Sequence, residues 1–394
     1  MFDSIFIGAS GMQSFSTGLK VISNNVANLN TPGFKSSEVQ FANLFYQTSG
    51  STSGAGYNLF GSGVMAGQTF IDFQAGETRQ TGNPLDLSIG GDGFFVTRDA
   101  KDQTITYSRA GQFEFDKDGF LVARGTGRQA QGLGAGGALA PISINGLRLN
   151  PPKPTSQIKL TGNLSTGSTE FTLDAVKVID AVGGEHTLKL TFKPKANEEG
   201  TWTVSVLDGD TEVSSAEVKF LAGTVLAGSD QFTFAYAPAG MSSIDVKVDL
   251  SKDVTSFNTG TTSSLAVGST DGHAVGSLTQ VAFDGKGVLS LTYSNGEKVT
   301  GQQLALAAFD TTEGLRPAGE GEFTHPGNEQ RHLGTASSGR FGSIVSSQVE
   351  VSNVDLSSEF SDLIVTQRGY QASSRLVSTA NEMLQDLFEM KGHR

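Results

Sequence analysis

Residues able to do acid–base, metal or nucleophilic chemistry are few in this chain, and they are scattered. It has 394 residues, five histidines and no cysteine, which excludes thiol catalysis, iron–sulfur clusters and thiolate zinc sites together. His186, His273, His325, His332 and His393 include no pair four apart on a helical face, the spacing that brings two imidazoles to one metal. Gly132, Gly134 and Gly137 have the spacing of a dinucleotide-binding turn. Ala138-Leu139-Ala140-Pro141 follows them instead of a long helix, so a glycine-rich loop is expected. Asp116-Lys117-Asp118-Gly119 opens like a calcium loop but lacks the later acidic ligands, and reads as a hairpin turn. There is no GxSxG elbow, and Asn163-Leu164-Ser165 fits a glycosylation pattern too common to carry weight. The expectation is a protein that is not an enzyme, with no catalytic, cofactor-binding or metal residues. A carboxylate pair assembled from distant strands, as in glycosidases, stays open.

Composition narrows the partners. Twenty-eight basic against forty acidic residues give a net charge of −12, the wrong sign for holding a phosphate backbone, so no nucleic acid is expected. Charged residues are 17% of the chain, where about 25% is ordinary. Glycine supplies 50 positions, about twice its usual share. No apolar run reaches the ~18–20 residues of a membrane helix, so no membrane insertion is expected. Asp3 and the absence of Lys or Arg before Lys20 do not suit a secretory leader, and any export is expected to proceed without a cleaved one.

The strongest pattern lies at the two ends. Ile5, Met12, Leu19 and Val26 recur every seven residues, with Gly8, Phe15, Ile22 and Leu29 offset by three. This is an a/d seam on a helix of about 25 residues, roughly 38 Å long. Asn30-Thr31-Pro32-Gly33 should end it. At the other end Leu356, Leu363, Tyr370, Val377 and Leu384 are again seven apart, and Phe360, Gln367, Ser374, Asn381 and Phe388 form the expected second row. Leu376, Ala380, Met383 and Leu387 add a further apolar stripe that one helical partner cannot cover.

Between the ends the period changes to two. Leu188, Leu190 and Phe192 alternate with polar residues, as do Trp202, Val204 and Val206, then Phe232, Phe234 and Tyr236, then Ile244, Val246, Val248 and Leu250. Asp118-Gly119, Asp208-Gly209, Asp284-Gly285 and Asn295-Gly296 suit hairpin turns. The expected fold class is multidomain α+β: paired N- and C-terminal coiled-coil-like helices plus two mainly antiparallel all-β domains, the second inserted in the first. Residues 1–70 and 351–394 form the terminal helical domain, with a flexible Ser/Gly/Thr-rich loop at about 48–63. Residues 71–149 and 276–350 form the first β domain, and 150–275 the inserted one. Pro151-Pro152-Lys153-Pro154 is read as a stiff linker and the polar stretch from Thr255 to Ser269 as the return crossing. Gly8, Gly11 and Gly18 should make the first helix marginal alone, since each costs up to ~1 kcal/mol against Ala. Ends that order only when many copies pack side by side would account for both seams. An intramolecular helical hairpin is the simpler alternative.

Short motifs along the chain resemble one family. SNNVANLNTPGFK at 23–35 is similar to the N-terminal signature of the bacterial flagellar axial proteins of rod and hook, which includes Asn24, Asn25, Asn28, Gly33 and Phe34. PLDLSIGGDGFFV at 84–96 and YSRAGQF at 107–113 resemble the motifs of its first β domain. SNVDL at 352–356 and QRGYQA at 367–372, with Asn353, Asp355 and Gln367, resemble its C-terminal region. The departure is Gly369, where the family more often has a helix-favouring residue or Asn; a looser turn is expected there. The large insertion, and YSNG at 293–296 followed by LALAAF at 304–309, are similar to the hook members.

The resemblance implies a structural subunit that polymerises into a curved hollow tube joining rod to filament and transmitting torque as a universal joint. Its implied partners are many copies of itself, rod and hook–filament junction proteins, the hook cap and the flagellar type III export apparatus. The implied place is the extracellular flagellum. Ile5, Met12, Phe15, Leu19, Ile22, Val26, Leu29, Leu356, Leu363, Tyr370, Val377 and Leu384 would form the assembly interface. A distal-rod or junction protein of the same family is the alternative, and an extracellular β-rich adhesin or carbohydrate-active enzyme a more distant one.

Overall fold

The structure, a computed structural model, describes residues 2–44, 46–49, 58–134, 136–327 and 331–392. It is multidomain α+β. Helix α1 spans Phe2–Ala27 and helix α2 spans Leu356–Gly392; the elements between them are strands, almost all paired antiparallel. The chain divides into two compact units: Met1–Asn145 with Val281–Ser290 and Thr300–Arg394, and Gly146–Gln280 with Leu291–Val299.

The first unit holds both helices. Its ten-stranded sheet centres on Phe94–Arg98, which pairs with Ile105–Ser108, with Gln129–Leu133 and with the returning Ala305–Phe309. Phe94, Val96, Tyr107, Ala305, Ala307, Phe309, Leu315 and Phe323 form one buried cluster. Its rings meet edge to face, as in Phe94–Phe309 at 5.9 Å and Tyr107–Phe309 at 4.9 Å. A separate hairpin, Ser37–Asn43 with Val64–Ile71, lies along α1. The glycines at 132–137 fall in the hairpin between Gln129–Leu133 and Leu139–Pro141, where a glycine-rich loop is expected.

In the second unit the period-two segments become strands Glu185–Pro194, Thr201–Asp208, Gln231–Tyr236 and Ile244–Thr255. Their inward residues, together with Ile158, Leu160, Val176, Val178 and Val218, form a single apolar core of aliphatic and aromatic side chains. Each fully buried Leu, Val or Phe is worth about 1.5–3 kcal/mol, which is why alternation alone specifies this sheet. One pairing is parallel, Gln157–Asn163 on Ile244–Thr255.

Three expectations need correction. The stretch from Thr255 to Ser269 does not leave the second unit: Ala266–Thr270 is one of its strands, on Gln157–Asn163. Ser, Thr and Asn side chains hold the polar part by bonding backbone, a role that a low apolar content hides. Asn163 Oδ1 accepts from Phe257 N at 2.8 Å, and Ser168 Oγ donates to Thr261 O at 3.0 Å. In the turn after Asp284 the positive φ falls on Gly287 (72°), not on Gly285. Of the expected 48–63 loop, residues 50–57 lie outside the described residues; on either side Tyr46–Ser49 pairs with Asn58–Gly61.

Candidate functional site

The two helices are antiparallel, and small residues set their spacing. A Cβ on Gly8 would sit 2.7 Å from Val377 Cγ2, one on Gly11 2.6 Å from Ser373 Oγ, and one on Gly18 3.3 Å from Thr366 Cγ2. From the other side, a Cβ on Gly369 would lie 2.6 Å from Cζ of Phe15. Real Cβ contacts are essentially never as short as those at Gly8, Gly11 and Gly369, and seldom as short as that at Gly18, so these glycines allow the close approach. Gly369, expected to loosen its turn, is instead the hollow that receives the Phe15 ring. The far end of the seam is polar: Asn25 Nδ2 donates to Glu359 Oε1 at 2.8 Å.

On α2 the second row facing α1 is therefore Glu359, Thr366, Ser373 and Ala380, not Phe360, Gln367, Ser374, Asn381 and Phe388. Thr366, Ser373 and Ala380 are buried, while Phe360, Gln367, Asn381 and Phe388 are exposed. Steps of three and of four from Leu363 both stay near one helical face, and the apolar ends of the wrong row made it look like core. Of the expected interface residues, Ile22 is buried and Ile5, Met12, Phe15, Leu19 and Val26 are half-buried on α1. Leu363, Val377 and Leu384 are half-buried on α2, whereas Leu356 and Tyr370 remain exposed. Leu29 is half-buried in the turn after α1. In the further stripe Ala380 belongs to the seam; Leu376, Met383 and Leu387 stay exposed.

The family motifs meet where the helices join the sheet. Asn25 pairs with the backbone of Ser37 in both directions, donating at 2.8 Å and accepting at 3.0 Å. Asn28 Nδ2 donates to Asn24 O at 2.9 Å and Asn28 Oδ1 accepts from Thr31 at 3.1 Å, closing the end of α1. Gly33, at φ 70°, presses so closely on the Ala110 backbone that no side chain fits, and its N–H donates to Glu350 O. The carbonyl of Phe34 accepts from Asn353 N, and Asn353 Oδ1 accepts from Ser36 N at 2.7 Å. Asp355 Oδ1 accepts from Ser357 N at 2.8 Å, the N-cap of α2. Gln367 is exposed on α2.

Lys35, Arg109 and Glu350 lock this joint, and sequence reading did not single them out. Lys35 Nζ lies 2.5 Å from Glu350 Oε1, Arg109 Nη1 3.2 Å from Glu350 Oε2, and all three side chains are buried. Gly76 N–H donates to the same carboxylate at 3.0 Å, and the Arg109 guanidinium sits 5.2 Å from the centroid of Phe94. Burial holds the Lys35 ammonium below the ordinary lysine range; the bond and charge of Glu350 oppose this, and Arg109 adds to it. Two cations thus share one anion. Such a group adds little net stability, but losing the anion would strand both cations. It ties the chain leaving α1, the chain entering α2 and the β sheet at one point. The only signal available was that Lys35 ends the N-terminal motif and Arg109 lies within YSRAGQF.

Among the described residues no group of three or more His, Asp or Glu could hold a metal ion, and no helix is long and apolar enough to cross a membrane. What the geometry offers is a helix pair fixed to a sheet, with apolar surface left over.

Family models match in the same places. The model described as "Flagella basal body rod protein" matches residues 5–35, "Flagellar hook protein FlgE/F/G D1 domain" 88–166, and "Flagellar basal body rod FlgEFG protein C-terminal" 345–390. The flagellar hook protein FlgE of Salmonella typhimurium is 31% identical, over 97% of this chain and 98% of that protein. That of Treponema pallidum is 29% identical over 99% and 100%. A crystal structure of Helicobacter pylori flagellar hook protein FlgE2 is a looser likeness, at 13% identity and TM-score 0.49 over 68% of this chain and 98% of that one. Similarity to hook proteins runs through the terminal helices, the joint and the inserted unit alike, and the chain belongs to the flagellar hook protein FlgE family.

Proposed function

We propose that this chain is a structural subunit of the bacterial flagellar hook that assembles with many copies of itself into a curved hollow tube, joining rod to filament and passing torque around a bend. The observation that carries this is the apolar surface left along one face of α2: Val365, Leu376, Met383 and Leu387 are all about half exposed or more. A stripe of that length on one helix is a packing face without its partner. The twelve seam residues, Ile5 to Leu29 and Leu356 to Leu384 as named above, are the proposed assembly interface, with the helices inside the tube and the β domains outside. Rod and junction proteins, the hook cap and the type III export apparatus are the proposed partners. Similarity along nearly the full length of hook proteins, insertion included, favours this reading over a distal-rod protein.

Immunogold microscopy of detached flagella with antibody against residues 150–275 tests the placement. Label on the short curved segment at the filament base is expected; label on the straight rod, or none on flagella, rejects it. Leu384→Asp should abolish polymerisation while leaving the melting of the second unit unchanged. Normal tubes from this variant would sink the interface assignment.

A further inference from the structure

The antiparallel register leaves α2 longer than its partner. Gly11 stands at Ser373, Phe15 at Gly369, Gly18 at Thr366 and Asn25 at Glu359. Each step back along α1 is a step forward along α2, so Phe2 is level with Glu382 and, among the described residues, α1 ends where the stretch from Met383 to Gly392 begins, with Leu384 still half-buried at that edge. The seam row continues into this overhang. Thr366, Ser373 and Ala380 are 8%, 8% and 5% exposed; Leu387, the next residue of the row, is 47% exposed because its opposite helix has ended. Met383, Phe388 and Met390 are exposed beside it. About ten residues make an apolar peg of roughly 15 Å.

A groove of matching length runs along α1 on a different face. It lies between the helix and the hairpin, and Phe6, Ala9, Gln13, Thr17 and Met65 are among its lining residues. Phe6 to Thr17 measures about 17 Å along the helix. Phe6 and Met65 are exposed, and Ala9 is small enough to let another helix approach. The polar groups on its floor are already paired: Ser14 Oγ donates to Val64 O and Ser10 Oγ accepts from Val64 N. An apolar occupant would therefore strand neither serine hydroxyl nor the Val64 backbone. The same molecule cannot fill it, because the overhang runs out past the start of α1 as continuous helix.

We infer that the Met383–Gly392 overhang of one copy docks in the α1–hairpin groove of the next. Two different surfaces meet in such a contact, so it is head-to-tail and need not close into a ring. This rests on the proposed hook assembly and adds which surfaces meet.

The chain has no cysteine, so a pair introduced by substitution reports one contact. Full-length chain carrying Gln13→Cys and Leu387→Cys is polymerised and oxidised, with Ala9→Cys and Met390→Cys as a second pair. A ladder of disulfide-linked oligomers is expected from assembled polymer and not from monomer. Gln13→Cys with Val365→Cys, at a residue of α2 more exposed than Leu387 but outside the overhang, should give none. Normal tubes without a ladder from either pair overturn the docking and leave the hook reading standing. An equal ladder from the Val365 control also overturns it, as nonspecific. Failure of the unsubstituted chain to polymerise overturns both readings.

Discussion

The helix pair and the inserted β unit solve the problem of burial in opposite ways. In the second unit twenty aliphatic and aromatic residues, none more than 9% exposed, share one core. Between the helices the closest approaches are made by Gly8, Gly11, Gly18, Thr366, Ser373 and Gly369, and apolar bulk is left facing outward. A unit that buries its own apolar surface can be stable alone. Helices that touch through small residues gain little from each other, and draw on the joint at one end and, in the proposed polymer, on other copies along their length. A subunit whose inserted β unit is complete and whose helix pair is not suits the proposed polymer.

The largest test of this contrast is at the joint. Glu350→Gln strands Lys35 and Arg109 in a buried site and should cost about 3–5 kcal/mol. In urea titrations of the full chain the transition of the first unit should fall while that of the second holds. If both fall together, the two regions are not independent. Leu190→Ala is the mirror experiment. It opens a cavity in the apolar core, should cost about 2–5 kcal/mol, and should move the second unit's transition while polymers still form.

Gly369→Ala sharpens the comparison at smaller scale. In an isolated helix this change would stabilise by about 1 kcal/mol. Here the new methyl meets the Phe15 ring, an overpacking cost of about 1–3 kcal/mol, so slower assembly and faster hydrogen exchange along α2 are expected. Gln371→Ala, on an exposed position, should be near neutral. Stabilisation by Gly369→Ala would mean that the helices do not pack at this distance.

The smallest expected effect is one of sign. In the second unit, burial pushes the Asp271 carboxyl up, but bonds from Ser156, from the Gln157 amide and from Lys153 outweigh it and hold the pKa at about 2, below its ordinary 3.8. Its contribution is present above the ordinary value and lost as pH falls from there toward 2. At the base of α2, partial burial raises Glu359 above its ordinary 4.5; the Asn25 bond opposes this, and Asp362, Asp355 and Glu38 add to it. There the folded state takes up a proton first, so stability rises as pH falls through the raised pKa toward 4.5. Thermal melts at pH 7, 4 and 3 should show Asp271→Asn removing the acid loss in one unit and Glu359→Gln removing the acid gain in the other. Acid effects of the same sign in both units would contradict the assignment.

Much of this was legible before any coordinates. Alternating Leu188, Leu190 and Phe192 had to become a half-buried strand, because period two puts every second side chain on one face. The heptads at both ends had to become helices, and Thr31-Pro32-Gly33 had to stop the first. The second row of α2 was not legible, since rows three and four residues on from Leu363 lie to either side of it, about 60° and 40° away, and Thr366, Ser373 and Ala380 look like surface. Nor was the held stretch after Thr255, whose order comes from hydroxyl and amide bonds that have no period.

The sequence by itself determined the elements, the class of the fold and the family. Those depend on local spacing and on motifs that are contiguous in the chain. Tertiary structure alone decided that Lys35, Arg109 and Glu350 share one buried point, that Gly369 is a socket for Phe15, and that α2 outruns α1. The reason is that register between distant segments is set by which shapes and charges fit at close range, and a spacing rule contains neither.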